Sequence, residues 1–329
     1  MTALAPILEA FFTTRLIEQR RVSVNTVASY RDAFRLLLRY AHQSLGKEPQ
    51  DLRLEDLDAV LIGGFLTWLQ ENRGASIHSR NTRLAAIRSM FRYASFEYPE
   101  HAALIQRVLA IPTKRSEKAI VTFLTEDETN VLLNTPSVES WRGRRDRTLL
   151  LVAIVSGLRV SELVNLTAAD VELGATSYLR IYGKGRKERT TPLDKHSRTQ
   201  LKNWLNEQRP SQPDPLFPGI TGQKLTRGAV AKLLSHHVAT ATQRCPSLAM
   251  KNISPHTLRH TCAMRLLQSG VDVATIALWL GHENIRTTGI YLHADLTLKQ
   301  RALDRTRPPN TKPGPYRAPD DIMAFLESL

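Results

Sequence analysis

Between His256 and Tyr291 the chain carries side chains that can hold an anion, move protons and attack an electrophile: His256, Arg259, His260, His282 and Tyr291. His256, Arg259 and His260 stand at i, i+3 and i+4, so in a helix they share one face. Ser254-Pro255 ahead of them reads as a helix start, with Ser254 as cap and Pro255 at the first position, where a missing N–H costs nothing. Val271, Val273, Ile276, Ala277 and Leu280 form the apolar stripe of a following helix, and Gly281 is placed to end it. His282 therefore emerges at a helix end, and Tyr291 follows nine residues later, after polar residues. Taken singly, each has a bland reading: an exposed histidine, a tyrosine at a core edge, an arginine on a helix surface.

The combination reads differently. Upstream lie Gly157-Leu158-Arg159-Val160-Ser161-Glu162-Leu163 and the lysine of Gly183-Lys184-Gly185. The ordered set Arg, Lys, His-x-x-Arg, His, Tyr resembles the tyrosine recombinase (phage integrase-like, Xer-like) family, and the resemblance covers nearly the whole chain. It implies six catalytic residues: Arg159, Lys184, His256, Arg259, His282 and the nucleophile Tyr291. It implies a supporting role for Glu162 beside Arg159. His260, left over in the His-x-x-Arg-His run, reads as a structural buttress of the site.

The chemistry those residues can do is consistent with that resemblance. A phosphodiester is guarded by negative charge, and breaking it needs a nucleophile, charge stabilisation and protonation of the leaving oxygen. A phenol makes a phosphotyrosine ester that stores the bond energy, so rejoining needs no ATP. Arg159 and Arg259 would hold the non-bridging oxygens, and Lys184 is the candidate acid for the departing 5′-hydroxyl. His256 and His282 would hydrogen-bond the phosphate, and either the first of these or another histidine takes the tyrosine proton. The 3′-phosphate linkage is implied by the resemblance. No cofactor and no metal are expected, because side chains supply the cations and the nearby carboxylates are not clustered as a metal nuclease needs.

At 329 residues the chain is long for a single core, and two domains are expected. The formal net charge of +14 argues for a polyanionic partner, since each neutralised phosphate releases counterions. By itself that charge fits duplex DNA, RNA or a membrane surface. No run of about 18 apolar residues suggests a membrane span, and Met1 to Ala10 lacks a basic leader. Two cysteines, Cys245 and Cys262, give neither a disulfide framework nor zinc spacing, which fits a reducing cytoplasm. The resemblance adds a bacterial, nucleoid-associated setting.

Along the chain, residues 1–111 read as helices. Thr26, Tyr30, Phe34, Leu37 and Leu38 repeat at helical spacing behind a plausible Ser23 cap. From Arg80 to Tyr93, Leu84, Ile87 and Phe91 make an apolar stripe flanked by Arg83, Arg88 and Arg92, with no acidic residue to offset them. Arg80, Arg83, Arg88 and Arg92 are therefore expected at DNA phosphates. Residues 112–120, polar and interrupted by proline, read as a linker. Thr125 and Glu128 form a capping-box pattern that opens a catalytic domain over 121–306. Ser177 to Pro192 carries the one clear strand signal, a hairpin with the Gly-Lys-Gly tip. Arg186, Lys187 and Arg189 there are expected to contact phosphate. Residues 307–329 read as a proline-rich tether and an amphipathic helix with Ile322, Phe325, Leu326 and Leu329 on one face.

The expected fold is mainly α with a small antiparallel β-sheet: a helical, SAM-like core-binding domain followed by an α+β catalytic domain. The resemblance implies a site-specific recombinase that integrates or transposes a mobile element, with Xer-type resolution of chromosome or plasmid dimers as the alternative. Its partner would be double-stranded DNA bearing an inverted-repeat site. On it a homo-tetramer would assemble with exchange of C-terminal helices, alone or with a related recombinase. A reading from another class is a catalytically silent, architectural DNA-binding protein.

Overall fold

Ser23 Oγ accepts the backbone N–H of Thr26 and opens a long helix, which Gly46 closes with a φ of +65°. Similar local signals start most helices here. The structure is a computed structural model that describes residues 2–115, 121–183, 188–211, 214–284 and 287–294. The chain separates into two units, Met1–Lys118 and Ala119–Leu329.

The first unit is helical. Helix α1 (Leu4–Ala10) runs on as π-helical turns through Phe11–Gln19. It is followed by α2 (Val24–Leu45), α3 (Ala59–Glu71), α4 (Ile77–Glu97) and α5 (Ala102–Ala110). Asp58 and Ser76 cap α3 and α4 through their side-chain oxygens. The amphipathic faces meet over Phe11, Phe34, Leu37, Phe65, Leu84, Ile87 and Phe91, all buried. Each such side chain contributes about 2 kcal/mol by leaving water.

The second unit begins with α6 (Glu126–Leu133), whose Thr125 and Glu128 form the reciprocal capping box read from the sequence. Helix α7 (Trp141–Ser156) is apolar from Leu149 to Val155 because α9 (Lys195–Gln208) and α11 (Pro255–Gln268) pack against it. The arginine at the break after α7 leads into α8 (Val160–Leu163). Strands β1 (Val171–Glu172), β2 (Tyr178–Tyr182) and β3 (Glu188–Pro192) form an antiparallel sheet in that order. Leu179 pairs with Thr191 and Ile181 with Arg189, which fixes the hairpin register. Strand β1, at two residues, is too short to show alternation and so leaves no periodic signal in the sequence. Then come α10 (Arg227–Thr242), α11, α12 (Val273–Leu280) and α13 (Gly289–Ala294).

The architecture is thus mainly helical with one small antiparallel sheet. Among the described residues no helix is long and apolar enough to cross a membrane. Lys184, Arg186, Lys187 and the expected C-terminal tether and helix lie outside the described residues.

Candidate active site

Two helix ends converge on one point, and glycine makes the convergence possible. Gly157 ends α7 with a φ of +62°, and a Cβ there would lie 2.5 Å from Leu280 Cδ2 and 3.0 Å from Cys262 Sγ. Gly281 ends α12 with a φ of +66°, and a Cβ there would meet the Arg189 guanidinium at 2.9 Å. Both positions combine a left-handed backbone with a close approach, which glycine alone meets without strain.

The carbonyls left unpaired at those helix ends hold the arginines. Arg259 on α11, 3% exposed, donates to Gly157 O at 2.6 Å and to Leu280 O at 2.7 Å. Arg159 donates to Gly281 O at 2.9 Å. Such carbonyls carry the partial negative charge of a helix C-terminus. Among the described residues no carboxylate forms an ion pair with Arg259. Burial, then the Arg159 charge, lowers its pKa to about 10. Its charge is fixed in place but not cancelled.

Among the described residues, Glu162 is the one carboxylate paired with these arginines. One of its oxygens takes Arg159 Nη1 at 2.9 Å and the other takes the Arg159 backbone N–H at 2.9 Å. Arg189 reaches the same carboxylate at 3.1 and 2.8 Å and donates also to Trp279 O at 3.2 Å. Burial alone would raise the Glu162 carboxyl. The Arg189 hydrogen bonds, the Arg159 N–H and the two positive charges outweigh it and hold Glu162 below the usual carboxylate range. Arg189, expected at a phosphate, therefore spends its guanidinium inside the protein, where β3 meets α12.

The remaining groups stand on α11 and beyond. The Ser254–Thr257 capping box opens α11, and Thr261 Oγ1 ties that helix to the backbone N–H of Leu124 at 3.0 Å. His256 and His260 stack one turn apart, with ring centroids at 6.0 Å. His260 Nδ1 lies 2.9 Å from the Tyr291 hydroxyl. Tyr291 is 2% exposed, and burial pushes its phenol up to about 12. His282 Nδ1 lies 2.7 Å from Thr288 Oγ1. Burial and the neighbouring charges lower the pKa of His260 and of His282 to about 4, and that of His256 also falls, so all three imidazoles are neutral near pH 7.

The structure thus gathers Arg159, Glu162, His256, Arg259, His260, His282 and Tyr291 into one linked cluster. His260 is more than the buttress expected, since it touches the phenol oxygen itself. The carbonyls of Gly157, Leu280 and Gly281, the Arg189–Glu162 pair and the Thr288 hydroxyl were missed. Of these only Thr288 left a trace in the sequence, as part of the polar run before Tyr291.

In the first unit the four expected phosphate-binding arginines divide. Arg80 is 7% exposed and donates to Asn81 Oδ1 at 3.0 Å and Pro112 O at 3.4 Å, so it does not present its charge to solvent. It falls at i−4 from Leu84, on the apolar stripe itself. Arg88 donates to Ile111 O, and Arg83 to Ser79 O at 3.2 Å. Arg92 is exposed.

Comparison with known proteins places these two units in a family. The model described as "Phage integrase family" matches residues 122–297, and "Phage integrase, N-terminal SAM-like domain" matches residues 9–97. A Sinorhizobium fredii protein, y4rC, named as an integrase/recombinase, is 49% identical over 99% of this chain and 98% of its own. A protein of Pelobacter propionicus named tyrosine recombinase XerC is 32% identical over 94% and 99% of the two chains. Among solved structures, the XerH recombinase bound to palindromic difH aligns with a TM-score of 0.70 at 23% identity, covering 87% and 81% of the two chains. The Tn1549 transposon integrase with transposon right end DNA aligns with a TM-score of 0.71 at 15% identity, covering 93% and 99%. These two structures speak to the fold. The clustered arginines, histidines and tyrosine, the helical unit ahead of them and the close relatives agree: the chain belongs to the phage integrase family of tyrosine recombinases, enzymes that break and rejoin DNA.

Proposed function

We propose that this chain is a site-specific recombinase that cuts and rejoins duplex DNA through a 3′-phosphotyrosine intermediate, in the integration or transposition of a mobile element. One observation carries the reading. Arg159, Arg189, Arg259 and three neutral imidazoles stand in the cluster that holds the buried phenol, and among the described residues the only carboxylate paired with those arginines, Glu162, is already shared by Arg159 and Arg189. Three guanidinium charges against one carboxylate leave the site in excess of positive charge, which a phosphodiester and the further negative charge of its transition state would balance.

In this reading Arg159 and Arg259 bind the non-bridging oxygens of the scissile phosphate. The Tyr291 oxygen attacks phosphorus, the bond from phosphorus to the 5′-oxygen breaks, and Lys184 gives that oxygen its proton. His260, at 2.9 Å, is the nearest acceptor for the phenol proton. His256, stacked on it, and His282 hydrogen-bond the phosphate. The reverse reaction, with a 5′-hydroxyl from another duplex, rejoins the strands. Glu162 and Arg189 position Arg159 rather than touch the DNA. The basic first unit would grip the duplex, with Arg92 among its phosphate contacts. Four protomers on an inverted-repeat site would complete the exchange, passing C-terminal helices between them.

Xer-type resolution of chromosome or plasmid dimers is the second reading, favoured by the XerC relative that matches over almost its full length. Both readings share the chemistry and differ in the DNA acted on.

The experiment is covalent trapping. The protein is incubated with end-labelled duplexes from the flanks of its own gene and from the replication-terminus region, nicked so that the cleaved fragment diffuses away. A label shifted to protein mass and lost in Tyr291→Phe supports the reaction, and the duplex that gives it selects between the readings. An adduct that persists in Tyr291→Phe overturns the mechanism.

A further inference from the structure

Thr288 is 1% exposed, and it makes two bonds at once. Its hydroxyl lies 2.7 Å from Nδ1 of His282, and its backbone carbonyl accepts the N–H of Tyr291 at 3.1 Å. His282 follows Gly281, whose carbonyl holds Arg159. A single buried threonine thus stands between the histidine at the end of α12 and the first turn of the helix that carries the phenol.

The chemistry of the imidazole makes that contact consequential. Burial and the charges of Arg259 and Arg159 keep His282 neutral, so the ring carries a single N–H. If that proton sits on Nδ1, the outward Nε2 is a lone pair, which repels a phosphate oxygen. If it sits on Nε2, the ring donates to the phosphate. A neighbour that donates to Nδ1 selects the second arrangement, just as the hydrogen-bond partner of a metal-bound histidine's free nitrogen fixes its tautomer. A hydroxyl can be that donor, and Thr288 Oγ1 is the one at hydrogen-bond distance.

We propose that Thr288 is a positioning residue: its hydroxyl donates to His282 Nδ1, fixes the Nε2–H tautomer that donates to the scissile phosphate, and ties that ring to the start of the Tyr291 helix. The inference rests on the recombinase reading for its phosphate, but the tautomer itself is a property of the DNA-free protein. Thr288→Val keeps the shape and removes the donor. Thr288→Ser keeps the donor.

The test has two arms. In the first, 15N shifts of the imidazole nitrogens are measured in DNA-free protein labelled at histidine, with His282 assigned by its loss in His282→Gln. The expected result is Nε2–H in wild type and Thr288→Ser, and a mixture or Nδ1–H in Thr288→Val. In the second, single-turnover adduct formation is measured on a nicked duplex at saturating DNA. The expected result is a rate about tenfold lower in Thr288→Val, the size of one oriented hydrogen bond. DNA affinity should hold, and Thr288→Ser should restore the rate. A proton on Nδ1 of wild-type His282, or an unchanged tautomer in Thr288→Val, overturns the proposal. So does a wild-type rate in Thr288→Val. Failure of the wild-type protein to form any Tyr291 adduct would instead count against the recombinase reading, and the first arm would still decide the tautomer.

Discussion

The hydroxyl of Tyr291 lies 2.9 Å from Nδ1 of His260, and the two rings meet edge to face at 62°. The pair joins a weak acid to a weak base: burial raises the phenol to about 12 and lowers the imidazole to about 4. At neutral pH the proton stays on the tyrosine, and the ring can accept it in the tautomer that leaves Nδ1 unprotonated. The phenol is therefore not ionised at rest, and in the proposed reaction it gives up its proton only as negative charge moves on to the phosphate.

That pairing sets an alkaline limit. The folded phenol titrates near 12 against an ordinary value near 10, so between those values the folded state holds a proton that the unfolded state has lost. Stability then falls as pH rises from about 10 to about 12. Urea unfolding of wild type and Tyr291→Phe across that window should show the steeper loss in wild type. In the same series His260→Ala should slow adduct formation about a hundredfold without weakening DNA binding. An unchanged rate in His260→Ala would return the proton-accepting role to His256.

The acid side has the opposite sign. His260 and His282 titrate near 4 when folded against about 6.5 when unfolded, so the unfolded state binds more protons between those values. Their contribution is full above about 6.5 and is lost as pH falls to about 4. Thermal unfolding of the DNA-free protein should show a Tm that drops over this range, and the double variant His260→Gln/His282→Gln should flatten the slope. A slope identical to wild type would mean that neither imidazole is held neutral by the fold.

Much of this site was legible in the sequence because its elements announce themselves locally. Ser254-Pro255 opens α11, Thr125 and Glu128 open α6, and the spacing of His256, Arg259 and His260 puts them on one helix. Arg159 has two carboxylates within reach along the chain, Glu162 and Asp170. The structure selects Glu162, while Asp170 turns back on Thr167. What the sequence concealed depends on which chain ends approach each other. Carbonyls at helix termini have no residue type to mark them, so the seat of Arg259 cannot be read from spacing. Arg80 shows the same limit from the other side. It continues the stripe of Leu84, Ile87 and Phe91, and an arginine lies there because Asn81 Oδ1 and, from across the fold, Pro112 O accept from it.

That difference among the arginines can be measured. Exposed Arg92, if it meets a phosphate, should lower DNA affinity and reduce the salt dependence of binding by about one counterion when changed to alanine. Arg80→Ala should leave the salt slope as it is and lower the midpoint of unfolding, because it empties a buried hydrogen-bonded position. Reversal of the two behaviours would restore Arg80 to the DNA surface.

Gly157→Ala probes the convergence of helix ends. The left-handed backbone and the contacts with Leu280 and Cys262 should cost about 1–3 kcal/mol together, read as a shift in the urea midpoint. The same change displaces the carbonyl that holds Arg259, so adduct formation at saturating DNA should fall even where the protein is fully folded. Wild-type activity in the folded variant would show that Arg259 does not depend on this carbonyl for its aim.

The seat of Arg259 has one more consequence. Because dipoles rather than a carboxylate hold the guanidinium, an arriving phosphate has no counter-anion to evict and no ion pair to dismantle. A carboxylate partner would have to yield its own bond or share the charge, and each cycle of breaking and rejoining would repeat that exchange twice. In the proposed reaction the receptor for the phosphate is then the same before, during and after the covalent stage. Forward and reverse steps then face nearly the same electrostatic terrain, which suits a reaction whose product must be as ready to react as its substrate.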